Sequence, residues 1–189
     1  AEDMAVVQEL GAQVLQVDLA NPASISGLAW QLDGKSIDLA LYVAGVWDGH
    51  AAGVPPTQQQ FDAVMHSNVL GFMQALPQIA PMVQEAGGVV AAFSSEMSLL
   101  SSADESAWLY RVSKAALNMA VASACRQWPG LTLLALDPGW TQTEMGGNSA
   151  PVTVAQSVQG LMQVLEQVRP EDRGSLLRYD GTRTRFLDA

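Results

Sequence analysis

Apolar residues along this chain fall into two patterns. Five short runs are continuous rather than alternating: 13–19 (QVLQVDL), 37–44 (IDLALYVA), 89–95 (VVAAFSS), 131–137 (LTLLALD) and 175–180 (SLLRYD). Continuous runs of this length suit strands of a parallel sheet covered by helices on both faces. Between them the period lengthens to that of a helix. From about Thr57 to Val83, the residues Phe61, Val64, Met65, Phe72, Met73 and Ile79 share one stripe. Pro77 is expected to kink or end the last turn of this helix. Further helices are predicted from about Trp108 to Gln127 and from about Thr153 to Val168, with Gly, Pro, Asp and Asn gathered at the junctions. No repeat, linker or low-complexity stretch interrupts the alternation. Strand alternating with helix predicts an α/β fold with a doubly wound parallel sheet, and ligands of such sheets bind beyond the C-terminal strand ends.

Composition narrows the picture. The 189 residues suffice for a single domain, 1–189, with a sizeable core. Hydrophobic residues make up 49% and charged residues 15%, so most elements must bury more than one side. No apolar run approaches the ~18 residues of a membrane span, and the start, Ala1-Glu2-Asp3-Met4, lacks the pattern of a signal peptide. With one cysteine, Cys125, no internal disulfide can form, and with two scattered histidines no metal site is expected. The expectation is a cytoplasmic protein. A formal net charge of −10 excludes the concentrated positive charge that nucleic-acid binding needs, and disfavours anionic lipid surfaces. It leaves room for a nucleotide, because backbone amides at helix N-termini hold phosphate without net charge.

Candidate chemistry gathers where the fold expects it. Tyr110 and Lys114 stand four apart in a predicted helix and so share a face. Ser94-Ser95 ends the strand before that helix, and Asn68 lies on the apolar stripe of the 57–83 helix, where a buried amide must find partners. A tyrosine has an ordinary pKa near ~10, and an ammonium one turn away is expected to lower it. A serine can hold a substrate oxygen, and an amide can order water or simply satisfy the core. The set suits proton exchange at a carbonyl or alcohol, but it has no hydride donor, so the chemistry demands a cofactor.

Asn68, Ser95 and Tyr110-Arg-Val-Ser-Lys114 resemble the Asn-Ser-Tyr-Lys tetrad of the short-chain dehydrogenases/reductases. Asp137-Pro138-Gly139-Trp140-Thr141-Gln142-Thr143 is similar to the family's P-G-x-x-x-T segment, and Asp18-Leu19 to its acidic pair beside the adenine ring. The stretches YRVSKAALNM, PGWTQTEMGG and PEDRGSLLRYDG resemble the C-factor-type subgroup. The resemblance implies a Rossmann-type sheet and NAD or NADP as cofactor, without indicating which. It implies a small carbonyl or alcohol substrate, and a homo-oligomer paired through the helices at 57–83 and 108–127. Tyr110 would be the acid/base and Lys114 its partner and ribose ligand. Ser95 would orient the carbonyl, and Asn68 would support a water relay. Ala44, Gly45, Pro138, Gly139, Thr141 and Thr143 would line the cofactor site with Asp18 and Leu19.

Three departures stand against this pattern. No G-x-x-x-G-x-G follows an opening strand, so the sheet is expected to be N-terminally incomplete, lacking a β-α-β unit and leaving Leu39–Val43 as an unpaired edge. Tyr42-Val43-Ala44-Gly45 replaces the family's N-N-A-G, and Ser98 stands where a glycine usually follows the serine. Two readings remain: an NAD(P)-dependent oxidoreductase, or a non-catalytic relative serving signalling or partner binding. Trp47, His50 and Trp140 flank the expected pocket, with surface or lid packing the plainer role for His50.

Overall fold

A computed structural model describes residues 7–19 and 21–186. After two short helices, α1 (Pro22–Ser26) and α2 (Leu28–Gln31), the first strand β1 covers Leu39–Tyr42. A long helical arm follows in three pieces: α3 (Gln58–Met65), a π-helical turn (His66–Leu70) and α4 (Gly71–Glu85). Then come β2 (Val89–Phe93), α5 (Trp108–Gln127), β3 (Thr132–Asp137), α6 (Val154–Glu166), β4 (Ser175–Arg178) and β5 (Arg183–Arg185). Helix starts are set locally. Thr57 accepts the Gln60 amide while Gln60 returns a bond to the Thr57 amide, and Thr153 and Gln156 repeat the device on α6. Each such box satisfies N–H groups that no helical turn can reach.

The strands line up in sequence order, β1 to β5. The first four are parallel, with Leu41 opposite Ala91, Ala91 opposite Leu134, and Leu136 opposite Leu177; β5 closes the far edge antiparallel. Successive residues of β2 point to opposite faces. Val90 and Ala92 join Phe72, Leu76, Leu117 and Val121 under α4 and α5, whereas Ala91 joins Leu134, Leu161 and Val164 under α6. Both faces are therefore covered, which is why the strands read as continuous apolar runs.

Two expectations change, and one strand is added. The 13–19 run is not a strand: it has no ladder partner among the described residues, and an extended segment is a strand only where a neighbour takes its amides. Val17 and Leu19 instead line an apolar cavity of about 350 Å³ beside β1, along with Leu41, Val43 and Ala44. Pro77 neither ends nor breaks its helix, which continues past Pro81 to Glu85. Pro77 and Pro81 both lie on the exposed side of α4, where water can take the carbonyl that each ring leaves unbonded. The β5 hairpin strand, Arg-Thr-Arg, is too short and polar to announce itself. Among the described residues β1 pairs with β2 alone, and Leu39, Leu41 and Val43 are exposed.

Candidate active site

The loops after β1, β2 and β3 leave the same end of the sheet, and helix α5 crosses close to them. Asn68 is fully buried in the π-helical turn. Such turns insert a residue and redirect side chains, and they occur most often at functional positions. Here the turn aims the Asn68 amide at the loop after β1. Oδ1 accepts the Val46 amide at 2.7 Å; Nδ2 donates to the Val46 carbonyl at 3.0 Å and to Ser113 Oγ at 2.9 Å. Ser113 in turn donates to the Tyr110 carbonyl at 2.7 Å. The side chain of Asn68 thus clamps three elements. The Tyr42 that replaces an expected amide donates its hydroxyl to the Ser67 carbonyl at 2.6 Å and packs edge-on to Phe72, so it braces the same turn by another route.

Ser95 opens a short 3-10 turn and accepts the Met97 amide at 3.1 Å. Its backbone is held by a network that sequence reasoning missed. Ser94 Oγ donates to Asn118 Oδ1 at 2.7 Å, Asn118 Nδ2 donates to Ser98 Oγ at 2.6 Å, and Ser98 Oγ donates to the Ser95 carbonyl at 2.5 Å. Ser94, Ser98 and Asn118 are all buried. The signal was present in the spacing, since Asn118 lies one helical turn beyond Lys114 on the same face. Ser98, noted as a departure, is thereby a part of the loop's anchorage.

Tyr110 and Lys114 are both buried on α5. The Lys114 ammonium donates to the Phe93 carbonyl at 2.6 Å and lies 5.6 Å from the centre of the Tyr110 ring. Burial pushes Lys114 down to about 8. Tyr110 moves opposite to the expectation that Lys114 would lower it. Burial first, and the nearby Asp137 carboxylate second, push the phenol up to about 12, with the Ser95 hydroxyl as a hydrogen-bond partner opposing them. The Lys114 ammonium is bonded to a backbone carbonyl rather than to the phenol. At neutral pH the phenol keeps its proton.

Asp137, at the end of β3, was quoted in a motif but assigned no role. Its buried carboxyl is held above the ordinary carboxylate range mainly by desolvation. It accepts the Gly139 amide at 2.9 Å and faces Arg178 Nε at 3.5 Å. It thus joins the turn after β3 to the end of β4. Gly139 has φ +75°, and a Cβ there would sit 2.6 Å from the Tyr179 ring. Thr141 Oγ1 donates to the Pro138 carbonyl at 3.0 Å, and Thr143 Oγ1 accepts the Gly146 amide at 3.1 Å, so both hydroxyls shape the turn.

A family model described as enoyl-(acyl carrier protein) reductase matches residues 2–179. The C-signal protein of Myxococcus xanthus is 40% identical over 119 residues, covering 61% of this chain and 72% of that protein. The chain belongs to the short-chain dehydrogenase/reductase family. A short-chain dehydrogenase/reductase from Burkholderia multivorans, solved with NADP bound, is 26% identical with a TM-score of 0.85, covering 97% of this chain and 82% of that one. A carbonyl reductase from Pseudomonas aeruginosa, solved in complex with NADP, is 28% identical with a TM-score of 0.78, covering 97% and 82%.

The residues that the sequence assigns to a cofactor fall in two separate places. A Cβ at Gly45 would lie 3.2 Å from Asn68 Oδ1 and 3.3 Å from Lys114 Nζ, so the bare backbone lets both side chains pack close against it. Ala44 and Leu19 line the apolar cavity beside β1, which none of Ser95, Tyr110 or Lys114 borders. Asp18 is exposed, and its amide donates to Ser24 Oγ at 2.9 Å. Among the described residues no glycine-rich turn between a strand and a helix presents amides to a pyrophosphate. No helix of the described residues is long and apolar enough to cross a membrane, and no group of three or more metal-ligating side chains gathers among them.

Proposed function

We propose that this chain acts as an NAD(P)-dependent oxidoreductase interconverting a small carbonyl compound and its alcohol. The observation that carries the reading is a buried phenol, protonated at neutral pH, with a serine hydroxyl beside it and a buried lysine one helical turn away. Packing alone asks for no such combination. Similarity to the NADP-bound carbonyl reductase of Pseudomonas aeruginosa supports it.

A bound nicotinamide cofactor, NAD or NADP, would supply the hydride that the carbonyl carbon needs. Ser95 donates a hydrogen bond to the carbonyl oxygen and orients it. Tyr110 gives its proton to that oxygen, completing the alcohol, and takes it back in the reverse direction. Lys114, 5.6 Å from the Tyr110 ring centre, would steady the phenolate left behind and would hold the cofactor's sugar. Asn68 holds the loop after β1 and the start of α5 in register, so that these groups need not be gathered anew at each turnover. The protein is cytoplasmic and works as a homo-oligomer paired over exposed Met73, Val112 and Met119 of α4 and α5, in keeping with their exposure.

Tyr110→Phe removes only the proton donor. With saturating NADPH or NADH and a simple aldehyde, turnover falls by about 10²–10⁴-fold, while thermal unfolding is unchanged. Full activity in this variant ends the proton-transfer assignment. Absence of turnover in the unaltered protein, at saturating cofactor, points instead to the non-catalytic role.

A further inference from the structure

The loop from Gly45 to Pro56 is fixed at several points, and it carries an indole that the chemistry above does not use. Val46 is gripped on both backbone groups by Asn68. The buried Asp48 carboxylate accepts the His50 amide at 3.1 Å and faces His50 Nδ1 at 3.0 Å. The Trp108 amide donates to the His50 carbonyl at 3.2 Å and the Ala52 amide to the Glu105 carbonyl at 2.8 Å, tying the loop to the entry of α5. That entry passes through Ala107, which is buried and left-handed at φ 47°, a conformation an alanine adopts only under surrounding constraint. Between these anchors, the Trp47 ring centre lies 4.7 Å from that of Tyr110, tilted by 57°.

Burial distinguishes the two rings. Tyr110 is 7% exposed and Trp47 is 45% exposed. One side of the indole covers the phenol while much of the rest stays open. Gly49 lets the indole lie back, because a Cβ there would sit 2.9 Å from Trp47 Nε1. An indole held by its loop yet left open, in contact with the reacting phenol, is a surface for a flat apolar group. A second open indole, Trp140, stands one residue beyond Gly139 and is also fastened, its Nε1 donating to the Gly146 carbonyl at 2.8 Å.

We propose that Trp47 determines substrate specificity, forming an aromatic wall beside Tyr110 that favours carbonyl compounds bearing a planar aromatic group. The proposal rests on the reductase reading above. Its physical content is ring-on-ring contact with a substrate whose carbonyl oxygen reaches Tyr110. Offset or tilted aromatic contacts add specificity beyond simple area burial, and a pre-fixed wall adds it without an ordering cost.

Two measurements test it, one independent of turnover. In the first, kcat/KM is compared for benzaldehyde and butanal in the unaltered protein, in Trp47→Leu and in Trp47→Phe. The preference for benzaldehyde should fall by about three- to tenfold in Trp47→Leu and be largely restored in Trp47→Phe, the magnitude expected of one aromatic contact. An equal loss on both aldehydes marks Trp47 as packing and overturns the proposal. In the second, benzyl alcohol is titrated into the protein without cofactor while tryptophan emission is followed. Saturable quenching should occur in the unaltered protein and in Trp140→Phe, and its main component should vanish in Trp47→Phe. Quenching that survives Trp47→Phe overturns the proposal. Failure of the reductase reading looks different: no aldehyde is reduced, yet Trp47-dependent quenching by benzyl alcohol persists and the aromatic wall stands.

Discussion

The two sides of β1 are built on different terms. Toward α5, the site is closed by hydrogen bonds between elements far apart in the chain. Asn68 joins the π-helical turn to Val46 and Ser113, Lys114 reaches the end of β2, and Asn118 ties α5 to the Ser95 loop. On the other side, β1 has no partner among the described residues, Leu39 and Leu41 are exposed, and the adjoining cavity is lined mostly by apolar side chains. The first region loses stability when one bond partner is removed, because each buried polar group there depends on another. The second is held by non-directional apolar contact and tolerates change. The groups of the candidate site are thus cross-braced by hydrogen bonds, whereas the outer edge of β1 is unpaired among the described residues.

The sharpest test of this contrast is Asn68→Ala. It orphans the Val46 amide and carbonyl and leaves Ser113 Oγ with one partner fewer. Stability should fall by about 3 kcal/mol, at one to three for each buried group left unsatisfied. Chemical denaturation reads the loss directly, and a change below about 0.5 kcal/mol would mean that water replaces the amide without cost.

Lys114→Met should act in the opposite sense. Burial lowers the folded-state value of Lys114 from 10.5 to about 8, so the charged form is penalised in the folded protein. Below pH 8 both states carry the proton and the whole penalty is present. Between about 8 and 10.5 the folded state has released it and the unfolded state has not, so stability rises with pH. The substitution should therefore stabilise by roughly 1–3 kcal/mol at pH 7, partly offset by the lost bond to Phe93. The gain should fade toward pH 10.5 as activity is abolished throughout. Unfolding curves at pH 7 and pH 10 decide it, and a gain that does not fade would place its origin in packing.

Cofactor affinity probes the other side. With no phosphate-binding turn among the described residues, the 189-residue chain should bind NADPH and NADH more weakly than low micromolar by calorimetry. Tight binding would show that phosphate is held by amides elsewhere. The smallest effect belongs to Val43→Lys at the open edge. It should reduce self-association in light scattering while changing stability by less than about 0.5 kcal/mol. A larger loss would make Val43 part of the core.

Much of this was legible because it is local or periodic. Helix α5 is expected and found over the same span, since an uninterrupted 3.6 period with polar and apolar faces has one good solution. The four parallel strands fall inside their predicted runs because burial on both faces leaves an unbroken apolar trace. The 13–19 run carries the same trace and is no strand, which shows the limit: composition marks a segment as fit for a ladder, but only a neighbour makes the ladder. The polar strand β5 is the converse case, made by its partner Ser175–Leu177 in spite of its composition.

Within the site, spacing alone placed Tyr110 and Lys114 on one face, and residue type alone named the chemistry they share. Tertiary structure decided how they behave. Tyr110 holds its proton because surrounding chain segments remove water from it and bring Asp137 near, while the Phe93 carbonyl takes the Lys114 ammonium. The helical period could place Asn118 beside Lys114, but not disclose that it reaches Ser94 and Ser98. It could not disclose that Trp47 would come to rest against Tyr110 either. Periodicity and residue chemistry are properties of neighbours along the chain. Desolvation and directed hydrogen bonds are properties of neighbours in space, and only folding brings those together.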